Sequence, residues 1–420
     1  MSLIRRAPRV LCILPGVPLP ADTGGNLRTL SLVRSLDEAF NTSTVTWARE
    51  GQDVRRFRAR MRGGVCILER PHRVDRTIAM GLSALLGGPL GYSRYGFFPR
   101  RILGLLGSRQ FDAIHFDHPH TALAWPLLRK LQPTARLVLD AHNVEAEILE
   151  RLALLAPRWK RPLYRLQAER IRKLERGLAQ AMDLILTCSP RDADTFRAMG
   201  ARRVRVVPNG VPAFAPAPGA ERREVLFVGS MDWKPNADAA VTLARDVWPL
   251  VRGKLPGARL VLVGRNPPPH VQALAAGDVI VAGGVPSVQP YLESARATAI
   301  PLRAGSGTRI KILEAWGAGV PVVASRIAAE GLPYRDGRDL ILAEGPEDFA
   351  RSLERVFADA SLASRLAAAG RKSAEPFGQA KVAEATIAAY REELCLDAGE
   401  SDDGALPYAD ACDAAVISIA

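Results

Sequence analysis

Short, β-branched and almost wholly apolar runs alternate with helical stretches along nearly the entire chain, and this rhythm constrains the fold more than any other feature. One set reads RVLCILPG (9–16), STVTWA (43–48), GVCILER (64–70), FDAIHFD (111–117), ARLVLDAH (135–142), DLILTCS (183–189) and VRVVPNG (204–210). A second reads EVLFVGS (224–230), ARLVLVG (258–264), DVIVAGG (278–284), ATAIPLR (297–303), VPVVAS (320–325) and DLILAE (339–344). Strands apolar on both faces, with helices between them, belong to parallel sheets covered on both sides. Two sets predict two doubly wound α/β domains in tandem, as expected for 420 residues, too many for one ordinary core.

The Pro/Ala/Gly-rich stretch NGVPAFAPAPGAERRE (209–224) separates the sets and suits a linker. The expected division is therefore a first domain over 1–210, a linker over 211–223 and a second domain over 224–378. The tail DAGESDDGALPYADACDAAVISIA reverses the sign of the charge, and 396–420 is expected to be a poorly ordered acidic appendage. Two open sheets facing one another create a cleft at the carboxyl ends of their strands, where ligands of such folds bind.

The net charge of +13 and pI near 10 call for an acidic partner: nucleic acid, an anionic membrane face or a phosphorylated ligand. The cations are dispersed and no compact nucleic-acid motif is present, so nucleic acid is not expected. No apolar run approaches a bilayer span. The opening MSLIRRAPRVLCILPG ends its short apolar run in Pro15 and Gly16, which fits a first strand and not a secretory leader. Five scattered cysteines include no C-x-x-C pair. They predict a reducing, cytoplasmic setting without disulfides or structural metal, with Cys12 and Cys188 as small core residues. His115, His118 and His120 in IHFDHPH lack a fixed tetrahedral arrangement, and no metal site is expected there.

The segment GSGTRIKILEAWGAGVPVVAS (305–325) carries most of the chemistry. Gly305, Ser306 and Gly307 form a loop feeding a helix read over 308–317, with Thr308 as N-cap. Backbone N–H groups and the positive end of the helix dipole face whatever binds there. Arg309 and Lys311 are ill-placed against that dipole unless an anion arrives, and a diphosphate resolves the conflict. Glu314 lies about 9 Å further along the axis, a distance suited to ribose hydroxyls.

In the first domain, Gly24 and Gly25 allow backbone to approach a ligand, and Asn26 is placed to cap the following helix. Arg28 is a further ligand candidate on that helix. Asp140, Ala141, His142 and Asn143 end a strand where chemistry is expected, and Asp117 or His118 is expected to line an acceptor pocket. The basic, partly apolar stretches 74–106 and 156–178 suit either an anionic leaflet or an ordinary helix with a solvated basic face.

These residues resemble glycosyltransferase family 4, retaining enzymes of the GT-B fold, in particular the bacterial polysaccharide-synthesis branch with G-x-G-T-R-x-K-x-x-E-A. The resemblance extends over most of 9–378, and the helix around 379–395 is similar to one that crosses back to the first domain. It implies that 1–210 is the acceptor domain, that Glu314 binds the donor ribose, and that Arg309 and Lys311 hold the diphosphate. It also implies that His142 reaches the donor sugar and the reacting centre, with Glu145 in the same motif. By the same resemblance Gly24, Gly25, Gly229 and Lys234 adjoin the nucleotide. A UDP- or GDP-sugar donor, no cofactor or metal, a glycan or polyprenyl-linked acceptor, and a cytoplasmic enzyme touching the inner membrane face follow as expectations. The chain departs from the family at Ser306, which replaces the first Glu of Glu-x7-Glu, and at Ser230, which replaces an Arg. Lys234 stands one residue early. A silent nucleotide-binding subunit of a membrane assembly, and a related sugar-nucleotide epimerase or phosphorylase, remain as other readings.

Overall fold

The computed structural model describes residues 6–21, 23–48, 52–68, 88–89, 92, 106, 109–212, 214, 222–255, 257–305 and 309–395. The acidic tail, most of the linker, most of the 74–106 stretch and Ser306, Gly307 and Thr308 lie outside these residues.

The first sheet has seven parallel strands: β1 (Arg9–Ile13), β2 (Asn41–Trp47), β3 (Gly64–Leu68), β4 (Ala113–Asp117), β5 (Arg136–Ala141), β6 (Leu184–Thr187) and β7 (Val204–Val206), in the order β3-β2-β1-β4-β5-β6-β7. The second has six: β8 (Glu224–Val228), β9 (Arg259–Val263), β10 (Val279–Gly283), β11 (Ala295–Ile300), β12 (Val322–Ala324) and β13 (Ile341–Leu342), ordered β10-β9-β8-β11-β12-β13. Every pairing between these strands is parallel. Each predicted run contains one strand, trimmed at its ends, except that β2 and β11 each begin two residues early, before the expected 43 and 297.

Burial explains the apolar runs. Val10, Cys12 and Leu14 enter one core layer of the first sheet, while the alternate Leu11 and Ile13 enter the other. Both orders reverse beside the first strand of the domain, between β1 and β4 and again between β8 and β11. A crevice opens at such a reversal because the connections leave toward opposite faces of the sheet. The loops after β1, β4, β8 and β11 thus border the two crevices.

The chain then returns. After a parallel bridge between Val211 and Gly378, helix Gln379–Glu393 packs Val382, Ala389 and Tyr390 into the first domain's core beside Leu32, Leu36 and Phe40. The Tyr390 hydroxyl meets Nδ1 of the buried His115 at 2.7 Å. His115 therefore anchors this helix from inside the sheet.

Candidate active site

Helix α1 (Gly24–Ala39) leads out of the first crevice. Its cap is Thr23, whose hydroxyl accepts from the Asn26 N–H at 3.1 Å, so the expected capping role of Asn26 is corrected. Asn26 instead donates its side-chain amide to the Pro20 carbonyl at 3.0 Å. Arg28 also differs from expectation. Only 2% exposed, its guanidinium donates to Asp140 (Nε at 3.1 Å from both oxygens), the Val207 carbonyl (2.7 Å) and Asn209 (3.2 Å). It ties β5 to the chain after β7 and offers nothing to a ligand.

Asp140 and Asp117 end neighbouring strands, and His142 lies across both. Its Nε2 is 2.8 Å from Asp117 Oδ1 and 3.0 Å from Asp140 Oδ2. Burial opposes the imidazolium, but the two carboxylates outweigh it and raise the His142 pKa to about 9. Both aspartates stay ionised, held below the usual carboxylate range despite burial: Asp117 by His118 and His142, Asp140 by Arg28 and His142. Thr29 donates to Asp117 at 2.8 Å. The His118 ring lies against His142, with centroids 3.6 Å apart, at a backbone φ of 78° that a non-glycine residue seldom adopts. Asp117 is fully buried, so His118 is the member of that expected pair able to meet an acceptor.

Two sets, Asp117–His118–His142 and His115–Asp117–Asp140, bring three potential metal ligands together. His120 belongs to neither. Asp117 already accepts from Thr29 and meets His142, and Asp140 accepts from Arg28 and meets His142.

Helix α2 (Glu145–Leu155) follows His142, and its N-cap, Val144, has no capping side chain. Glu175, buried on helix α3 (Arg161–Ala181), accepts from the Glu145 N–H at 2.6 Å instead. Burial and the nearby Glu145 push its pKa up to about 8. Helix α4 (Pro190–Ala198) begins just after Cys188, whose thiol donates to the His142 carbonyl at 3.2 Å. No spacing in the sequence links Glu175 or Cys188 to His142.

In the second domain β8 ends at Val228 and is followed by Gly229 and helix α5 (Lys234–Thr242), and helix α6 (Ile310–Gly317) follows β11. The α6 cap is Arg309, with no capping hydrogen bond from its side chain, so the helix starts two residues later than predicted and Thr308 is not its N-cap. The Lys311 ammonium donates to Asn236 Oδ1 at 2.6 Å and sits 4.4 Å from the centre of the Phe227 ring. A Cβ on Gly229 would come within 2.8 Å of it, so only glycine admits this approach. Burial first, then Arg309, lowers the Lys311 pKa to about 7. Burial raises that of Glu314 to about 7, against the pull of Lys311.

The other expected residues are distributed around this pair. Arg309 is buried beneath Gly305, whose φ is 145°, and a Cβ on Gly305 would lie 2.4 Å from the guanidinium. Lys234 is exposed on the first turn of α5, with its ammonium 5.4 Å above the Tyr164 ring of the first domain. Gly24 and Gly25 stand between the halves: a Cβ on Gly24 would be 3.1 Å from Ile310, and one on Gly25 would be 3.9 Å from His142 Nδ1. The sequence reading did not single out Asn236, which steadies Lys311, or Arg265, which donates to Ser230 Oγ at 3.0 Å. Arg265 thus brings a cation close to the position where the family's Arg became Ser230.

Comparison with known proteins agrees with this geometry. Residues 24–213 match the sequence model described as Glycosyltransferase Family 4, and 222–359 match Glycosyl transferases group 1. The chain belongs to glycosyltransferase family 4. A D-inositol 3-phosphate glycosyltransferase of Acidothermus cellulolyticus is 30% identical over 220 residues, 46% of this chain and 48% of that protein. The match thus spans about half the length of that relative. Among solved structures, the sucrose-phosphate synthase of Thermosynechococcus elongatus superposes with a TM-score of 0.70 at 16% identity, covering 93% of this chain and 100% of that one. Anabaena HepE in complex with UDP-glucose gives 0.64 at 14%, covering 92% and 100%. At these identities the family 4 chain shares the GT-B fold with them: two Rossmann-like domains with a cleft between.

Proposed function

We propose that this family 4 chain transfers a sugar, with retention, from a nucleoside-diphosphate sugar to a hydroxyl of a glycan or lipid-linked acceptor in cell-surface polysaccharide synthesis. The Lys311 ammonium at the start of α6, admitted by Gly229, is the observation that carries this reading. The acceptor oxygen bonds to the anomeric carbon as the bond to the phosphate oxygen breaks, and the electron pair leaves with the diphosphate. The acceptor proton goes to a phosphate oxygen on the same face. Lys311, the α6 N–H groups and Arg309 stabilise the leaving charge in place of a metal. Gly305, Ser306, Gly307 and Thr308 are assigned to the diphosphate and Glu314 to the ribose, and Lys234 is a second, outer cation. His142, an imidazolium at neutral pH, donates to the sugar and is too firmly protonated to serve as a base. HepE's complex with UDP-glucose supports a uridine donor.

A thermal-shift panel of UDP, GDP and ADP tests the site. The matching nucleotide at 100 times its Kd adds ~2.7 kcal/mol to stability and raises the Tm, with or without EDTA. A flat response to all three overturns the reading. Release of free UDP or GDP from a sugar donor then separates a transferase from a silent nucleotide-binding subunit.

A membrane-facing role rests on a second observation. Trp159 is 77% exposed, and Leu154, Leu163 and Leu166 are exposed around it, among the exposed cations Arg158, Lys160 and Arg165. Apolar side chains ringed by cations suit an anionic bilayer surface. No helix among the described residues is long and apolar enough to cross a membrane. Co-sedimentation with phosphatidylglycerol vesicles is expected for the wild type, and Trp159→Glu with Leu163→Glu should reduce it about tenfold or more. Unchanged binding by that double variant removes this surface from the proposal.

A further inference from the structure

Helix α2 presents one stripe, Glu147, Ile148, Arg151 and Leu152, to the second domain, at the one-and-four spacing of a single helical face. Ile148 and Leu152 form a small apolar cluster with Ala304, just ahead of the loop that leads into α6. Arg151 lies between them on this stripe. Its guanidinium grips Glu330 with both arms, at 2.6 and 3.0 Å, and donates in addition to the Gly305 carbonyl. Arg191 from α4 stands 3.3 Å from Glu330 and 2.8 Å from Glu147. Two cations and two carboxylates alternate in this partly buried network.

We propose that Arg151 is a positioning residue for the donor site, a latch from the first domain that fixes Gly305 and Glu330 of the second when the cleft is closed. This inference rests on the reading of α6 as the nucleotide site. Besides Glu147 on its own helix, Arg151 meets Gly305 and Glu330, which both belong to the second domain, so neither of these bonds survives separation of the domains. Gly305 packs over the Arg309 guanidinium so closely that a Cβ there would lie 2.4 Å from it, so the bond from Arg151 to the Gly305 carbonyl also bears on Arg309, the N-cap of the helix carrying Lys311. Closing the cleft therefore sets this part of the donor site only once both halves are apposed. A guanidinium is suited to this because its planar fork meets two carboxylate oxygens while a further N–H reaches the carbonyl; an ammonium has no such fixed fork. Glu147, Arg151 and Arg191 also line an open cavity of about 310 Å³, so salt ions reach the latch and compete with it.

Hydrogen exchange on the full chain without nucleotide tests the latch directly. Arg151→Ala and Glu330→Ala are each expected to speed exchange in the peptide spanning 300–313 about tenfold, with β8 and β9 unchanged as a folding control. The double variant should fall short of the combined effect of the two single ones, because both substitutions break the shared Arg151–Glu330 contact. Arg151→Lys should fall between wild type and Ala. In turnover, Arg151→Ala should raise KM for the nucleotide sugar about tenfold and lower kcat less, as expected for lost preorganisation. Unchanged exchange at 300–313, or additive effects in the double variant, overturns the latch. The exchange readout needs no donor, so it stands if no nucleotide binds. A nucleotide-induced Tm shift alongside unchanged exchange defeats the latch while leaving the transferase reading intact.

Discussion

Replacing Lys311 by Ala is expected to lower turnover about 10²–10³-fold, the usual loss when one preorganised group facing transition-state charge is removed. The variant should still fold. Lys311 is held with its ammonium close to deprotonation, so the folded state gains little from that charge until an anion is bound. A normal melting curve with absent turnover is the expected pair of results, and retained turnover removes Lys311 from the mechanism. The pH dependence of nucleotide binding carries the same information. Burial lowers the Lys311 pKa from 10.5 to about 7 in the free protein, and a bound diphosphate raises it again. Binding at pH 8 therefore takes up a proton, and affinity falls as pH rises above 7. Glu314 works in the opposite sense: burial raises its pKa from 4.5 to about 7, and it accepts from ribose hydroxyls only as a carboxylate. Affinity then falls as pH drops below 7. Calorimetry across pH 6–9 should show a maximum near neutrality, with net proton uptake at pH 8 in buffers of different ionisation enthalpy. A flat profile contradicts the placement of both residues at the nucleotide.

The strands were legible because parallel strands buried on both faces carry their burial in composition. RVLCI, AIHFD and LILT need no partner to be recognised. Even β13, two residues long, was preceded by an apolar run of the right kind. The limits of the helices were less legible, because the neighbouring polar residues compete. Thr23 and Asn26 both suit an N-cap, and only the path of the chain out of Pro20 decides between them. Long-range pairing left no trace at all. Arg28 and Asp140 are separated by 112 positions, and nothing nearby in sequence says that this arginine, out of so many, is buried against an aspartate. The same holds for Glu175, which caps a helix 30 residues upstream, and for Asn236, which meets Lys311 across 75. Motif spacing nominated candidate ligand residues; the residues that hold them in place became visible only through the fold.

The stability of the first domain is expected to fall by about 3 kcal/mol between pH 6.5 and 9.5, and His142 is the cause. Burial alone would discharge this imidazole, yet Asp117 and Asp140, both contacting Nε2, raise its pKa from 6.5 to about 9. A group that binds its proton more tightly when folded contributes its full stabilisation below the unfolded pKa. That contribution is lost as pH passes through the folded value, leaving two buried carboxylates beside Arg28 without their second cation. At the acid end the sign reverses. The two aspartates are depressed below their ordinary 3.8, so their contribution is lost only when acid protonates them. The result is a plateau between about pH 4.5 and 6.5 with a decline on each side. His142→Gln retains an amide donor toward Asp117 and should fold, but it should lose the alkaline slope. His142→Ala removes the cation and leaves a cavity, at a cost of about 3–5 kcal/mol, as when one member of a buried ion pair is deleted. Denaturant melts at half-unit pH steps measure both. Turnover decides what the network serves: a folded His142→Gln protein that turns over at the wild-type rate would reduce His142 to a structural cation. A folded protein with turnover reduced ~10²-fold is expected if the imidazolium donates to the sugar.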